Sequence, residues 1–201
     1  MDKNYTNQEL IEQFIGEEVN DSLQEIIVAV QKYIDNYTGR NFKADCTASA
    51  RVYNGNSSQY LNIDDCIEIN KVEIGNDSYG DTFTEILSTG SDKYYTLPAN
   101  NEADGYPINK LFLRSREFLY GIQNQRITAK WGFSEEVPDD ISWVATFLSA
   151  SVYKTGIQGS FAGVKSERIG EYNVTFGGDT EGQSDYDKAK VILDTYKKYV
   201  L

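Results

Sequence analysis

Three pairs of neighbouring carboxylates could do chemistry: Asp64-Asp65, Glu135-Glu136 and Asp139-Asp140. Two acids facing one sugar would suit glycoside hydrolysis. The spacing argues against that reading. Neighbours on a strand point to opposite faces, and on a helix they diverge by about 100°. Turn and helix-start chemistry accounts for all three pairs. The stretch "NDSYGD" offers oxygen ligands for a cation, but it lacks the terminal Glu of a calcium loop and reads as a turn. The chain has no histidine. Triads, general bases and metal sites built on imidazole are therefore excluded. Cys46 and Cys66 have no imidazole to activate them, and both are expected reduced and buried. No Walker or dinucleotide glycine pattern occurs, and the glycine in "YGIQNQ" reads as a turn. The expectation is a protein without catalytic residues, cofactor or metal.

Composition narrows the rest. The net charge is -12, with Lys and Arg scattered rather than striped. Nothing resembles a phosphate-neutralising surface, so conventional nucleic-acid binding is disfavoured. No apolar run approaches the roughly 20 residues of a membrane span. The first residues, "MDKNYTNQELIEQ", show no apolar signal core, so synthesis and residence in the cytoplasm are expected. Fifteen Tyr and nine Phe are a large aromatic share. Some of them on a β face could bind sugar or a protein partner.

The elements that position these residues follow from periodicity. "TNQELIEQFIG" predicts a short helix, with Thr6 and Glu9 at capping-box spacing and Gly16 as its stop. Leu23, Ile26, Ile27, Val30, Ile34 and Tyr37 recur at helical spacing and end at Gly39. From 47 to 132 the period becomes two. "SARVYNGNSSQYLNID" alternates about an Asn54-Gly55 turn signal and predicts a hairpin. "CIEINKVEIG" slips phase at Asn70-Lys71, which predicts a bulge or turn. "TFTEIL", "KYYTL", "INKLFLR" and "QRITAKWG" are further strands.

Helix returns at "VPDDISWVATFLSASVYK", apolar on nearly every face and so expected to be buried nearly all round. A Gly-rich loop spans 156–163. Then "GVKSERIGEYNVTF" (163–176) reads as a two-stranded ribbon, which alone is marginal in water. A polar linker leads into a last amphipathic helix. The expected fold class is α+β: an α-helical bundle (1–46 and 133–201), a large inserted antiparallel β domain (47–132), and a short ribbon before the C-terminal helix.

Three segments taken in order carry a resemblance. They are "YIDNYTGRNF", "AKWGFSEEVPDDISWVATFLSASVYK" and "GVKSERIGEYNVTF". Their order and wording resemble the head–tail connector, or head-completion adaptor, family of long-tailed bacteriophages. The resemblance implies a non-enzymatic virion protein made in the host cytoplasm. It forms a ring of copies, usually dodecameric, below the portal protein and meets a stopper or next neck or tail-completion protein. DNA passes through the ring without sequence-specific binding, and no membrane is involved.

The resemblance also assigns the C-terminal helix to the portal. Its apolar side carries Tyr186, Ala189, Ile192, Leu193, Tyr196, Tyr199 and Val200. The ribbon is weak alone and can be completed by a neighbouring subunit's strands, so it and its Gly-rich approach are expected to make inter-subunit or channel-facing contacts. Those positions are Phe161, Val164, Lys165, Glu167, Arg168, Tyr172, Val174 and Phe176. The competing reading is a carbohydrate- or receptor-binding module of a phage tail, built on Tyr and Asn of the β region. A carboxylate hydrolase would need two distant acids to converge.

Overall fold

The computed structural model describes residues 4–19, 23–158, 164–169, 172–177 and 185–198. In chain order the first elements are α1 (Gln8–Ile15), α2 (Leu23–Thr38), β1 (Ser49–Gly55), β2 (Tyr60–Gly75), β3 (Phe83–Ile86) and β4 (Tyr94–Leu97). Then come α3 (Asn101–Asp104), β5 (Ile108–Leu113), β6 (Gly121–Trp131), α4 (Asp139–Gln158), β7 (Val164–Ile169), β8 (Tyr172–Gly177) and α5 (Asp185–Thr195). The fold is mixed α+β, with a six-stranded antiparallel sheet and a separate two-stranded ribbon among the described residues. The chain divides into two compact units: Met1–Phe42 with Val137–Leu201, and Lys43–Glu136.

In the first unit α1 is capped by Asn7, whose side chain accepts the Leu10 N–H at 2.9 Å. The Thr6 capping box does not form. Thr6 is buried, and its hydroxyl bonds that of Thr146 on α4 at 2.6 Å, so it serves packing instead. Gly16 ends α1 at φ 77°, and Gly39 follows α2 at φ 70° with its N–H on the Asp35 carbonyl. These left-handed stops suit glycine.

Helix α4 buries Ile141, Val144, Ala145, Leu148 and Val152, together with Phe147 and Ala150 from other faces. Trp143 lies on a more open side and stacks on Phe147 at 5.6 Å. The helix runs through residues 156–158, where a loop was expected, and the rest of that loop lies outside the described residues. Neighbouring elements are α1, α2, α5 and β8. The ribbon pairs Val164 with Gly177 through Ile169 with Tyr172. Strand β7 runs beside α2 and β8 beside α4. Those helices supply the support that a lone ribbon lacks.

In the second unit the strand order is β1-β6-β2-β5-β4, with β3 on β2. The expected β1–β2 hairpin is not present. Both strands pair with β6, on its opposite sides. Neither Asn54 nor Gly55 has the positive φ that a two-residue hairpin turn demands. Gly55 is needed for a different reason: a Cβ there would lie 1.6 Å from the Leu119 carbonyl oxygen.

The predicted bulge does form, as a register shift between Ile69 and Lys71 against β6. Strand β2 is long and changes partner, with its first residues on β5 and those from Cys66 onward on β6. The core of this unit includes Leu61, Val72, Leu111, Leu113, Phe118, Ile127 and Trp131.

The two ends of this unit are tied together. Lys43 forms a bridge with Ser134, Ala44 N–H donates to the Ser134 carbonyl, and Lys43 Nζ meets Glu136 at 2.7 Å. Gly132, at φ 136°, lets the Ala44 backbone approach to where a Cβ would sit. Chain entry and exit are therefore adjacent, the geometry that lets a unit sit within another sequence.

Candidate functional site

One acid of each suspected pair has structural work. Asp64 accepts from Arg51 at 2.7 Å and from the Tyr53 hydroxyl at 3.0 Å, while Asp65 is buried. Glu136 pairs with Lys43. Asp140 accepts from the Tyr196 hydroxyl at 3.0 Å and from the Ile141 N–H at 2.9 Å. Asp77, in "NDSYGD", accepts the N–H groups of Tyr79, Asp81 and Thr82. Those donors, Tyr79 first, hold its carboxyl below the ordinary range. Its oxygens shape the loop. Among the described residues no group of three or more Cys, Asp or Glu is placed to hold a metal ion.

Cys66 is buried, with its thiol toward the Ile108 carbonyl. Cys46 is exposed, against expectation. It lies in the connection ahead of β1, outside any strand that faces the core.

The C-terminal helix sits on its own chain. Ala189 and Leu193 are buried, and α5 packs with α2 and α4. Ile192 is half-buried. The Tyr186 hydroxyl lies 3.5 Å from that of Tyr33. Tyr196 falls in the turn after α5, with its ring edge-on to Phe42 at 5.2 Å and its carbonyl accepting from Arg40. Val191 is the exposed apolar residue of α5. Tyr199 and Val200 lie outside the described residues. The apolar stripe that looked available in the sequence is thus largely occupied within this unit.

Of the ribbon set, Val164, Lys165, Glu167 and Arg168 lie in β7, and Tyr172, Val174 and Phe176 in β8. Register places Lys165 opposite Phe176 and Glu167 opposite Val174. Phe161 lies outside the described residues.

Sequence reasoning missed two surfaces of the β unit. The first is a tip where the loops 54–58, 76–82 and 118–123 meet. Buried Asn124 pins them. Its side chain accepts the Gly55 N–H at 2.8 Å and donates to the carbonyls of Leu119 and Asp77. The Ile122 N–H donates to the Ser78 carbonyl, and the Gln123 N–H to the Asn54 side chain. Gln123 is held at φ 52°. This scaffold displays Tyr79, Tyr120 and Ile122 at 77%, 70% and 63% exposure. The signal was available: "FLYGI" is an apolar run in a segment first read as a turn.

The second surface is the outer face of β2, β5 and β4. Tyr60 and Tyr95, at 49% and 41% exposure, flank Phe112 with ring centroids 4.9 and 6.1 Å away. Alternation places Lys110 on the same side as Phe112, Arg114 follows the strand with its N–H on the Lys93 carbonyl, and Lys93 lies over the Tyr95 ring.

No family model matches the chain, and no curated protein sequence matches it. A solved structure does, a chain described as "Neck of empty GTA particle computed with C6 symmetry", GTA being a phage-like gene transfer agent. The chain has the fold of a neck component. The superposition covers 96% of this chain and 88% of the other, with a TM-score of 0.57 and 9% sequence identity. At that identity the likeness is one of fold, and it spans both compact units. It is consistent with the resemblance to phage head–tail connectors. No helix among the described residues is long and apolar enough to cross a membrane.

Proposed function

We propose that this chain is a structural neck protein of a phage or phage-like particle, a head–tail connector that assembles as a ring below the portal. The observation that carries the reading is the near-complete fold likeness to a chain of a gene-transfer-agent neck. Three ordered sequence segments resemble the connector family independently of that likeness. In this reading the unit Lys43–Glu136 is an insertion in a helical connector core. Copies of the chain, twelve by the family resemblance, extend the DNA channel and present a surface to the stopper or tail-completion protein. The ribbon faces a neighbouring subunit or the channel. DNA passes without sequence-specific contact, as a net charge of -12 favours. The protein resides in the virion neck and performs no catalysis.

The portal contact falls to the C-terminal segment. Ala189 and Leu193 are already covered, so the contact involves Val191, Ile192 and the residues from Tyr196 onward, or requires α5 to leave α2 and α4. The decisive experiment mixes the purified chain with the portal protein of the same particle and images the product by negative stain. A ring of this protein coaxial with the portal is expected. A chain ending at residue 198 retains the buried pair on α5, so it should fold. Its portal affinity should fall about tenfold or more. Absence of any complex with the intact chain, together with normal DNA-filled heads when the chain is missing, would overturn the proposal.

The exposed Tyr60–Phe112–Tyr95 face favours one other reading, a carbohydrate-binding module. A glycan array separates the two, because a connector should be silent on it.

A further inference from the structure

The tip and the outer sheet face of the β unit are opposites in charge and alike in apolarity. The three tip loops contain Asp77 and Asp81 and no Lys or Arg. The sheet face carries Lys93, Lys110 and Arg114 around its three rings, and none of these cations has a carboxylate partner among the described residues. The acids at its border are occupied: Asp64 by Arg51 and Asp92 by Arg116. The chain as a whole is strongly acidic, so a cationic–aromatic face without carboxylate partners is out of character and calls for an acidic, apolar occupant. The same chain supplies one.

We infer that the tip of one copy docks on the outer face of β2, β5 and β4 of a second copy. Tyr79 and Tyr120 would then meet Tyr60, Phe112 and Tyr95 ring to ring and lie within reach of Lys110 and Arg114. The tip is prepared for this. Asn124 and two further loop-to-loop hydrogen bonds, Ile122 to Ser78 and Gln123 to Asn54, hold its backbone before contact, so little order is lost on docking. Gly121 allows the close approach, since a Cβ there would lie 2.4 Å from the Ser78 carbonyl oxygen. Two different patches make a heterologous contact. A docked pair then keeps one free face and one free tip for further copies, which is how rings are generated. The inference rests on the ring reading above and names the contact between its subunits. Single-stranded nucleic acid and sugars also stack on aromatic faces. They are disfavoured as occupants because neither explains the oppositely charged tip.

The test places a photo-crosslinking residue on the tip, Tyr120→p-benzoylphenylalanine, in the full chain with and without purified portal. Tyr120 points to solvent, so folding is unaffected. Expected is an adduct between two copies, mapped by mass spectrometry to residues 60–62, 93–97 or 108–114. Face inversion (Lys110→Glu with Arg114→Glu) should lower its yield about tenfold because it sets like charges together, and cancelling the tip's net charge (Asp81→Lys beside Asp77) should lower it less. Both changes in one chain should recover part of the yield, since the new tip cation then faces the new acids. Cross-linking to the portal, to nucleic acid or to another part of the second copy overturns the inference, as does no adduct at all. If the adduct forms but the portal is never bound, the connector reading fails and the contact stands. If rings form on the portal without this adduct, the connector reading stands and the contact fails.

Discussion

The two units solve the same problem, a polar group inside a folded body, in opposite ways. In the β unit, Glu73 is buried and faces two cations. Arg126 grips it through two nitrogens at 2.8 and 2.7 Å, and Lys71 adds a third contact at 3.0 Å. The Arg126 bonds are the main reason that its carboxyl is held down to about 2. In the helical unit, Asp35 of α2 accepts from the Tyr5 hydroxyl at 2.5 Å, and that hydroxyl in turn accepts the Phe42 N–H at 2.7 Å. No cation is bonded to Asp35 among the described residues. Burial pushes its carboxyl up to about 6, with the Tyr5 bond pulling the other way. One unit compensates a buried charge, and the other is eased by losing it. Their stabilities should therefore respond to acid with opposite signs.

The comparison assumes that the units report separately, and the largest expected effect tests that assumption. Leu148→Ala empties a fully buried position on α4 and should cost about 2–5 kcal/mol. Each unit contains one tryptophan, Trp143 in the helical and Trp131 in the β unit. In a Trp143→Phe background, fluorescence follows Trp131 alone, while far-ultraviolet dichroism follows the helices. The helix transition should move to lower denaturant and the Trp131 transition much less. Equal shifts would mean that the units unfold as one, and the comparison would be lost.

The helical unit was the more legible of the two in the sequence. Ile26, Ile27, Val30 and Ile34 are buried as their spacing requires, and Gly16 and Gly39 stop their helices as glycine does in the left-handed region. What stayed hidden there was tertiary. Thr6 was read as a cap because local spacing cannot reveal Thr146, far away in sequence. The apolar stripe of α5 was read as available because a sequence shows amphipathicity without showing what covers it.

In the β unit the strands were legible and their partners were not. Asn54-Gly55 is a strong hairpin signal, yet β6, far along the chain, takes both neighbouring strands. Period-two alternation names the face of a residue and is silent about its neighbour. The tip was missed because it is made by Asn124 joining three loops, a long-range fact.

The next effect sharpens the β side. Glu73→Gln keeps the shape of the side chain and removes its charge, leaving Arg126 and Lys71 without their shared anion. A loss of about 1–3 kcal/mol at neutral pH is expected. The folded carboxyl lies below its ordinary 4.5, so its contribution is fully present above about 4.5 and is lost as pH falls toward about 2. Variant and wild type should therefore converge in acid. Denaturant titrations followed by Trp131 fluorescence measure this, and a gap that persists at the acid end would show that shape rather than charge sustains the contact.

The smallest effect carries the opposite sign. Asp35 has a folded carboxyl raised from 3.8 to about 6. Its favourable contribution is complete below about 3.8, declines as pH rises, and is gone above about 6. At neutral pH the helical unit thus holds a charge that its surroundings resist. Asp35→Asn removes the charge, and its side-chain oxygen still accepts from Tyr5. It should stabilise the helical unit at neutral pH by about 1 kcal/mol, a figure discounted because the group is only partly buried and water screens it. Followed by helix dichroism, the wild type should weaken between about 3.8 and 6 while the variant stays level over the same window. Parallel curves for the two proteins would mean that Tyr5 already satisfies the charge. The contrast between the units would then reduce to Glu73 alone.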